Sequence, residues 1–341
     1  MATPLVSILI PAYNAEQWIG ETLESALQQT WPNKEVIVVD DGSVDRTLQA
    51  AQQFAGRGVT VATQPNSGAA AARNKALELS KGEYIQWLDA DDMLSSQKIS
   101  AQMAIAQSSG DKRTLLSCGW GEFMFRPAKA EFTPSPLWHD LSPIEWTLRK
   151  WENNAHMQTA TWLVSRELTQ AAGPWDTRLY GDDDGEYFFR VIKHCSAIRF
   201  VPGAKVFYRA AGSNRLSYIP KSEKKIRAQF LGMKLQIGYM RSMTDDARAR
   251  AACVHYLQTW LHNFYPDHRD ILQEAHQLAH ELGGQLRVPR FSWKYAWIEK
   301  TFGWNAAKRA QVQFNQWKTC AVRYWDKTLA AFSRPTRATS L

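Results

Sequence analysis

Three short acidic clusters hold the residues best suited to chemistry. The first, Asp89-Ala90-Asp91-Asp92, follows the apolar run Tyr84 to Leu88. Carboxylates this close repel one another, so several left at one strand end call for a cation or many hydrogen-bond donors. Mg2+ or Mn2+ suits them: both prefer oxygen and commonly take one or two carboxylates, with water and substrate phosphates supplying the rest. The bland alternative is that Asp91 or Asp92 caps a following helix over about 95–107. The second cluster, Asp40-Asp41, ends the run Val36 to Val39 and leads into Gly42-Ser43-Val44-Asp45-Arg46-Thr47. Two carboxylates there can accept from donors of a base or ribose, although one can equally be structural; Gly42 permits a tight turn, and Ser43 or Asp45 can start a helix. The third, Asp182-Asp183-Asp184, heads a helix read over 185–194. The helix dipole favours acidic residues at that end, but three exceed what a cap needs. A carboxylate among acidic neighbours has the raised pKa suited to taking a proton from a hydroxyl. A fourth segment, Asn66-Ser67-Gly68-Ala69-Ala70-Ala71-Ala72-Arg73-Asn74, offers close helix packing through its small residues. Its Arg73 is either a phosphate ligand or a solvated surface charge.

The elements that position these clusters alternate. Val6 to Pro11 and Val36 to Val39 read as strands buried on both faces, and Trp18, Ile19, Leu23, Ala26 and Leu27 between them recur at helical spacing, with Asn14 as N-cap. A helix over 45–54, a strand over 59–62, a helix over 69–79 and a strand over 84–88 continue the pattern. Such alternation builds a parallel sheet with helices on its faces, and ligands then bind beyond the carboxyl ends of the strands. All of Pro11-Ala12-Tyr13-Asn14, Asp40-Asp41, Asn66-Ser67-Gly68 and Asp89-Ala90-Asp91-Asp92 fall on that rim. Further strands are read at 115–125, 159–164 and 198–208. Beyond Ser213 only helices are read, over 222–243, 246–264 and 267–282, with a domain boundary near Ser217 and a disordered end at Arg334 to Leu341. The expected division is 1–217, split into a donor half 1–110 and an acceptor-side half 111–217, followed by a helical region 218–341.

The 341 residues carry a net charge of +8, which is unevenly placed: residues 287–341 hold 11 Lys and Arg against 2 acidic residues, leaving 30 against 31 in the other 286. A neutral body weakens a whole-protein nucleic-acid reading. Cys118, Cys195, Cys253 and Cys320 share no CxxC spacing, which argues for buried reduced thiols rather than zinc or disulfides. No run of about 18 apolar residues and no signal-peptide pattern over Met1 to Tyr13 is present, so a cytoplasmic protein is expected. The chain lacks GxGxxG after its first strand, GxxxxGK[ST], HExxH and GxSxG. Dinucleotide oxidoreductase, P-loop NTPase, zincin and α/β-hydrolase readings therefore lose support.

Taken in order, SILIPAYN, EVIVVDDGSVDRT, NSGAAAARN, GEYIQWLDADD and DDDGEYFFRV make the segment 6–209 resemble a family 2 glycosyltransferase of the GT-A fold. The resemblance implies a Rossmann-like α/β fold, with a mostly parallel sheet flanked by helices and a C-terminal helical appendage. It also implies a nucleotide-diphosphate sugar donor, usually UDP-linked, Mn2+ or Mg2+, and transfer with inversion to a hydroxyl of a saccharide or lipid-linked saccharide. Residue by residue, Pro11, Tyr13 and Asn14 match the segment beside the base, and Asp40 and Asp41 the acidic pair of which one contacts the base. Asn66, Gly68 and Arg73 match the segment near the nucleotide and diphosphate. Asp89 and Asp91 match the D-x-D pair, with Asp91, then Asp92, as metal contact. The family shows Glu-Asp where this chain has three aspartates; the register of Glu186 to Arg190 places the catalytic base at Asp184, with Asp183 as the alternative. The segment from Tyr208 to Ser213 resembles the end of the family's catalytic domain and receives no role.

The acceptor side carries Trp120, Trp138, Trp146, Trp151, Trp162, Trp175 and His156, each an ordinary core or rim residue or a sugar contact. In the tail, Trp293, Trp297, Trp304, Trp317 and Trp325 interleave with Lys and Arg. That pattern suits a helix packed on the body or one lying on anionic lipid, which makes the protein peripheral on the inner membrane face. Two rival functions stand beside glycosyl transfer. A nucleotidyltransferase can use a related sheet, but it places a glycine-rich basic loop where Pro11-Ala12-Tyr13-Asn14 stands. Nucleic-acid binding through the tail is the other, although the tail contains no recognisable module for it.

Overall fold

The computed structural model of the chain describes residues 3–210 and 222–332. Alternating β-branched and apolar residues bury strand β1 (Val6–Ala12) on two sides. Val6, Ile8 and Ile10 enter one core together with Val36 and Val38, while Leu9 enters another with Ile37, Val39, Ile85 and Trp87. Each fully buried Ile or Leu contributes about 1.5–3 kcal/mol, which makes this strand the fixed axis of the sheet.

Around it run α1 (Ile19–Leu27), β2 (Lys34–Asp40), α2 (Thr47–Gln52), β3 (Val59–Thr63), α3 (Ala69–Leu79) and β4 (Tyr84–Trp87). Then follow β5 (Met93–Leu94), α4 (Lys98–Ser109), β6 (Thr114–Phe123), α5 (Pro143–Glu152), β7 (Val164–Ser165), α6 (Arg166–Ala172), α7 (Asp183–His194) and β8 (Ala197–Arg209). The main sheet has the order β3-β2-β1-β4-β7; its first four strands are parallel and the edge strand β7 is antiparallel to β4. Strand order reverses direction at β1, so a crevice opens between the loops after β1 and β4. A second sheet, β5-β8-β6, pairs β6 with β8 in parallel and β5 with β8 antiparallel.

Several expectations need correction. Asn14 caps no helix: α1 starts at Ile19, and Asn14 sits at φ 49° bonded to the next loop. The helix read over 45–54 is confined to Thr47–Gln52, because Asp45 spends its Oδ1 on the Thr47 N–H and hydroxyl. Residues 159–164 are not one strand; Thr159–Thr161 is a 3-10 turn, Leu163 makes an isolated bridge to Leu116, and the strand is confined to Val164–Ser165. Cys118, Cys195 and Cys253 are buried but Cys320 is exposed. The boundary near Ser217, the Ser213 end of the preceding segment and the tail from Arg334 lie outside the described residues.

Helices α8 (Glu223–Met243), α9 (Ala247–Trp260) and α10 (Arg269–Glu281) form no independent layer. Ile226, Phe230, Met233, Tyr256 and Leu257 share one apolar core with Leu148 and Trp151 of α5 and Phe189 of α7. Helices α11 (Trp293–Phe302) and α12 (Trp304–Phe332) behave differently, since Ala307 is the sole buried residue among them. Trp304 packs on Tyr265 and Phe291, but Trp293, Trp297, Trp317 and Trp325 stay exposed. No helix among the described residues is long and apolar enough to cross a membrane.

Candidate active site

The first three rim loops are tied together by their own polar side chains. The Asn14 N–H donates to Ser43 Oγ and the Val44 N–H returns a bond to Asn14 Oδ1, both at 3.0 Å, which joins the loops after β1 and β2. The buried Asp41 joins the loops after β2 and β3. Its Oδ1 accepts from the Ser67 N–H at 2.9 Å and from Gln64 at 2.7 Å, and its Oδ2 accepts from the Gly68 N–H at 2.8 Å. Gly42 is required at this junction: its φ is +69°, and a Cβ would lie 2.8 Å from the Asn66 backbone nitrogen. Asp40, also buried, accepts from the Ser43 N–H through Oδ2, while its Oδ1 has no protein partner. Tyr13 and Asn66 are exposed on this rim, and Pro11 is half-buried at the end of β1.

The fourth loop is joined through Arg73. This side chain is buried rather than solvated, lying 4.4 Å from the centre of the Trp175 ring. One guanidinium nitrogen reaches Asp89 Oδ1 at 2.9 Å and another reaches Asp183 Oδ2 at 2.5 Å. Burial works against its charge, but Asp183, Asp89 and Asp184 outweigh that and hold its pKa above the ordinary arginine value. Arg73 thus binds the end of β4 to the head of α7, bringing together two acidic clusters that lie about ninety residues apart in sequence.

The three aspartates at the head of α7 have three different environments. Asp183 is engaged by Arg73. Asp184 is half-exposed; its Oδ1 accepts from the Gly185 N–H at 2.9 Å and its Oδ2 from the Thr159 hydroxyl at 3.2 Å. Asp182 does not cap the helix with its side chain but accepts from Gln236 of α8 at 3.1 Å. Burial, reinforced by the charge of Asp184, pushes its pKa up to about 7. A cleft beside Asp184 is lined by Trp146, His156, Trp162, Asp182 and Phe188. Of the acceptor-side tryptophans, Trp146 and Trp162 border that cleft, Trp175 stacks on Tyr187 under Arg73, and Trp151 packs against Tyr256. Trp120 and Trp138 are half-buried, Trp120 against His156 and Trp138 stacked on Phe200.

Asp89, Asp91 and Asp92 also separate. Asp89 and Asp91 are half-buried. Asp92 is fully buried, with Oδ1 accepting the Arg209 N–H at 2.8 Å and Oδ2 engaged by the Gln158 amide. Both oxygens of Asp92, one of the carboxylates expected to contact a metal, are thus used by protein donors that tie this loop down. The Arg209 side chain completes the anchor: it donates to the Asp91 carbonyl at 2.8 Å and to Glu21, and it lies over the rings of Trp18 and Phe123. Gln158, Thr159, Arg209 and Gln236 are contributors to which sequence reasoning gave no role, and Asp182 was read only as part of the acidic run. Arg209 carried a signal in the segment from Tyr208 that resembles the end of the family's catalytic domain, whereas Gln158, Thr159 and Gln236 carried none.

Comparison with known proteins agrees with this fold. TarS 1-349 of S. aureus in complex with UDP-GlcNAc superposes with a TM-score of 0.66 at 17% identity, over 80% of this chain and 81% of that one. A mannosyltransferase, PcManGT of Pyrobaculum calidifontis in complex with GDP-Man and Mn2+, gives a TM-score of 0.51 at 18% identity, over 96% of this chain and 89% of that one. At such identities the likeness speaks for the fold, which is that of GT-A glycosyltransferases. In sequence, a putative teichuronic acid biosynthesis glycosyltransferase of Bacillus subtilis, TuaG, is 45% identical over 103 residues, which cover 29% of this chain and 41% of that protein. The chain thus spans about two fifths of that relative's length. The model of glycosyl transferase family 2 matches residues 7–168, a stretch that contains every rim loop and Arg73, and over that stretch the chain is similar to that family.

Proposed function

We propose that the protein transfers a sugar from a nucleotide-diphosphate sugar, UDP-linked, to a hydroxyl of a saccharide or lipid-linked saccharide, with inversion at the anomeric carbon. The observation that carries this reading is the Arg73 bridge. It makes the loops suited to a nucleotide and the helix suited to a base parts of one site. The loop after β1, the Asp40-Asp41 pair and the Gln64–Gly68 turn that Asp41 holds frame the base and ribose.

Asp89 and Asp91 fit a divalent cation: they are oxygen donors, half-buried and within reach of solvent. Among the described residues no group of three or more His, Cys, Asp or Glu could hold an ion. A two-carboxylate site must take its remaining ligands from water and the diphosphate, as Mg2+ and Mn2+ sites commonly do. When bound, the cation supplies charge neutralisation of the departing diphosphate.

Asp184 is the base in this account. It takes the proton of the acceptor hydroxyl as that oxygen forms its bond to C1 of the sugar, and the bond from C1 to the phosphate oxygen breaks with its electron pair leaving on the nucleoside diphosphate. The Thr159 hydroxyl and the Gly185 N–H fix the Asp184 carboxylate. Asp183, tied to Arg73, is occupied by that ion pair.

The test is product analysis with UDP-, GDP- and dTDP-sugars and saccharide acceptors, using the whole chain with Mn2+. Released nucleoside diphosphate from one nucleotide class, lost in Asp184→Asn, supports glycosyl transfer. Released pyrophosphate would instead assign the site to nucleotidyl transfer.

A further inference from the structure

We propose that α11 and α12 form a docking surface for an anionic lipid bilayer. In a soluble monomer, large aromatic side chains rarely cluster in water, yet Trp293, Trp317 and Trp325 are 81%, 69% and 66% exposed. Their spacing is ordered. At 100° per residue, Phe314, Trp317, Tyr324, Trp325 and Phe332 fall on one stripe along α12. Arg309 and Lys327 run along one edge of that stripe and Lys318 along the other. On α11, Trp293 and Trp297 share a face with Lys294 beside them.

The opposite side of α12 is fastened to the protein. Lys308 donates to the carbonyls of His262 and Tyr265, while Asp326 accepts from the Phe125 N–H at 3.0 Å and from Arg126 at 2.7 Å. The stripe is therefore held outward, and its orientation is fixed relative to the site: the Phe125 ring packs against Trp18, the residue under Arg209. A rigidly presented aromatic stripe with basic edges is the form of a helix that lies in the membrane interface.

Charge selects the occupant. Between residues 287 and 332 there are nine Lys and Arg against Glu299 and Asp326, and Asp326 is neutralised by Arg126. A second copy of the chain would bring the same basic edges against each other. An anionic lipid surface meets both features at once, with the headgroups pairing the edges and the acyl boundary covering the rings. A lipid-linked acceptor would then be met at the surface on which the enzyme sits. The docking itself stands without the transfer reading, because it rests on the tail alone.

The test is flotation of the whole chain with vesicles of phosphatidylglycerol and phosphatidylcholine, against vesicles of phosphatidylcholine only. The wild type is expected to float with the anionic vesicles and to be released by salt. Arg309→Glu with Lys318→Glu and Lys327→Glu should weaken partitioning by at least about a hundred-fold, since each basic side chain contributes about a five-fold factor. Trp317→Ala with Trp325→Ala should weaken it too and remove the blue shift of tryptophan fluorescence on vesicle addition. All five side chains are exposed, so both variants should keep the wild-type melting curve and nucleotide-sugar binding. Absence of the wild type from the anionic vesicle fraction, or equal flotation of all three proteins, overturns the proposal. So does a concentration-dependent dimer, or tight binding of single-stranded RNA, that the same substitutions abolish while no protein binds vesicles.

Discussion

Arg73 and Asp183 lie 2.5 Å apart, nitrogen to oxygen, and the same guanidinium holds Asp89 at 2.9 Å. A single guanidinium therefore joins the loop after β4 to α7, the helix that carries the proposed base. Removing one partner of a buried ion pair typically costs about 3–5 kcal/mol, because the other charge is left uncompensated. Arg73→Ala should lower stability by about that amount in chemical denaturation. Arg73→Lys should fall between the two, since a point charge cannot span both carboxylates.

The assignment of the base to Asp184 separates binding from chemistry. Asp184→Asn keeps an oxygen for the Gly185 N–H and presents its amide NH2 to the Thr159 hydroxyl, which can turn to accept, so fold and donor affinity should persist. The turnover number should fall by about 10²–10⁴, the usual share of a general base. Asp183→Asn should instead lower the melting temperature by loosening Arg73, and a steady-state assay alongside a thermal melt distinguishes the two.

Asp182 gives a pH dependence whose sign is fixed by its environment. Burial, then the charge of Asp184, raises its folded pKa to about 7, against about 3.9 for a free aspartate. The folded state thus holds this proton more tightly than the unfolded chain. The stabilisation is fully present below about pH 4 and is lost as pH rises towards 7. Asp182→Asn cannot lose a proton, so it should gain stability over the wild type across that window, by up to about 4 kcal/mol at pH 8. Denaturation curves at pH 5 and pH 8 measure the gap, and a gap that does not widen with pH contradicts this environment for Asp182.

Asp91 and Asp92 are adjacent yet should respond oppositely. Asp91→Asn should remove metal-dependent donor binding with little change in stability. Asp92→Asn should retain that binding but melt earlier, because Asp92 is an acceptor for both the Arg209 N–H and the Gln158 amide. Titration calorimetry and a thermal melt on each variant check the contrast.

The half of the site built by β1 to β4 was legible in sequence because those strands are buried on both faces. Their apolar runs end abruptly, and the polar residues that follow must lie on the rim. The α7 helix was legible for the same reason: Tyr187, Phe188, Val191 and Ile192 mark its buried side. What sequence could not show is contact between distant segments. Arg73 reads as an ordinary surface arginine until Trp175 and Asp183, about a hundred residues on, close over it. Gln158 and Thr159 lie in a turn whose run of threonine and apolar residues mimics a strand, and nothing in their spacing points to Asp92 or Asp184. Asn14 has the residue type of a helix cap, but the adjoining loop claims its side chain first. The exposed tail aromatics are the converse case: their periodicity defines a face, while only the fold shows that the body leaves it uncovered.

The most direct test of the account is calorimetric titration of UDP-, GDP- and dTDP-sugars into the whole chain with Mn2+, with Mg2+ and with EDTA, repeated on Asp91→Ala. The account predicts saturable binding of UDP-sugars that requires the metal and disappears in the variant. Absence of binding for every nucleotide sugar under every metal condition, or equal binding by Asp91→Ala, would contradict a donor site on this rim.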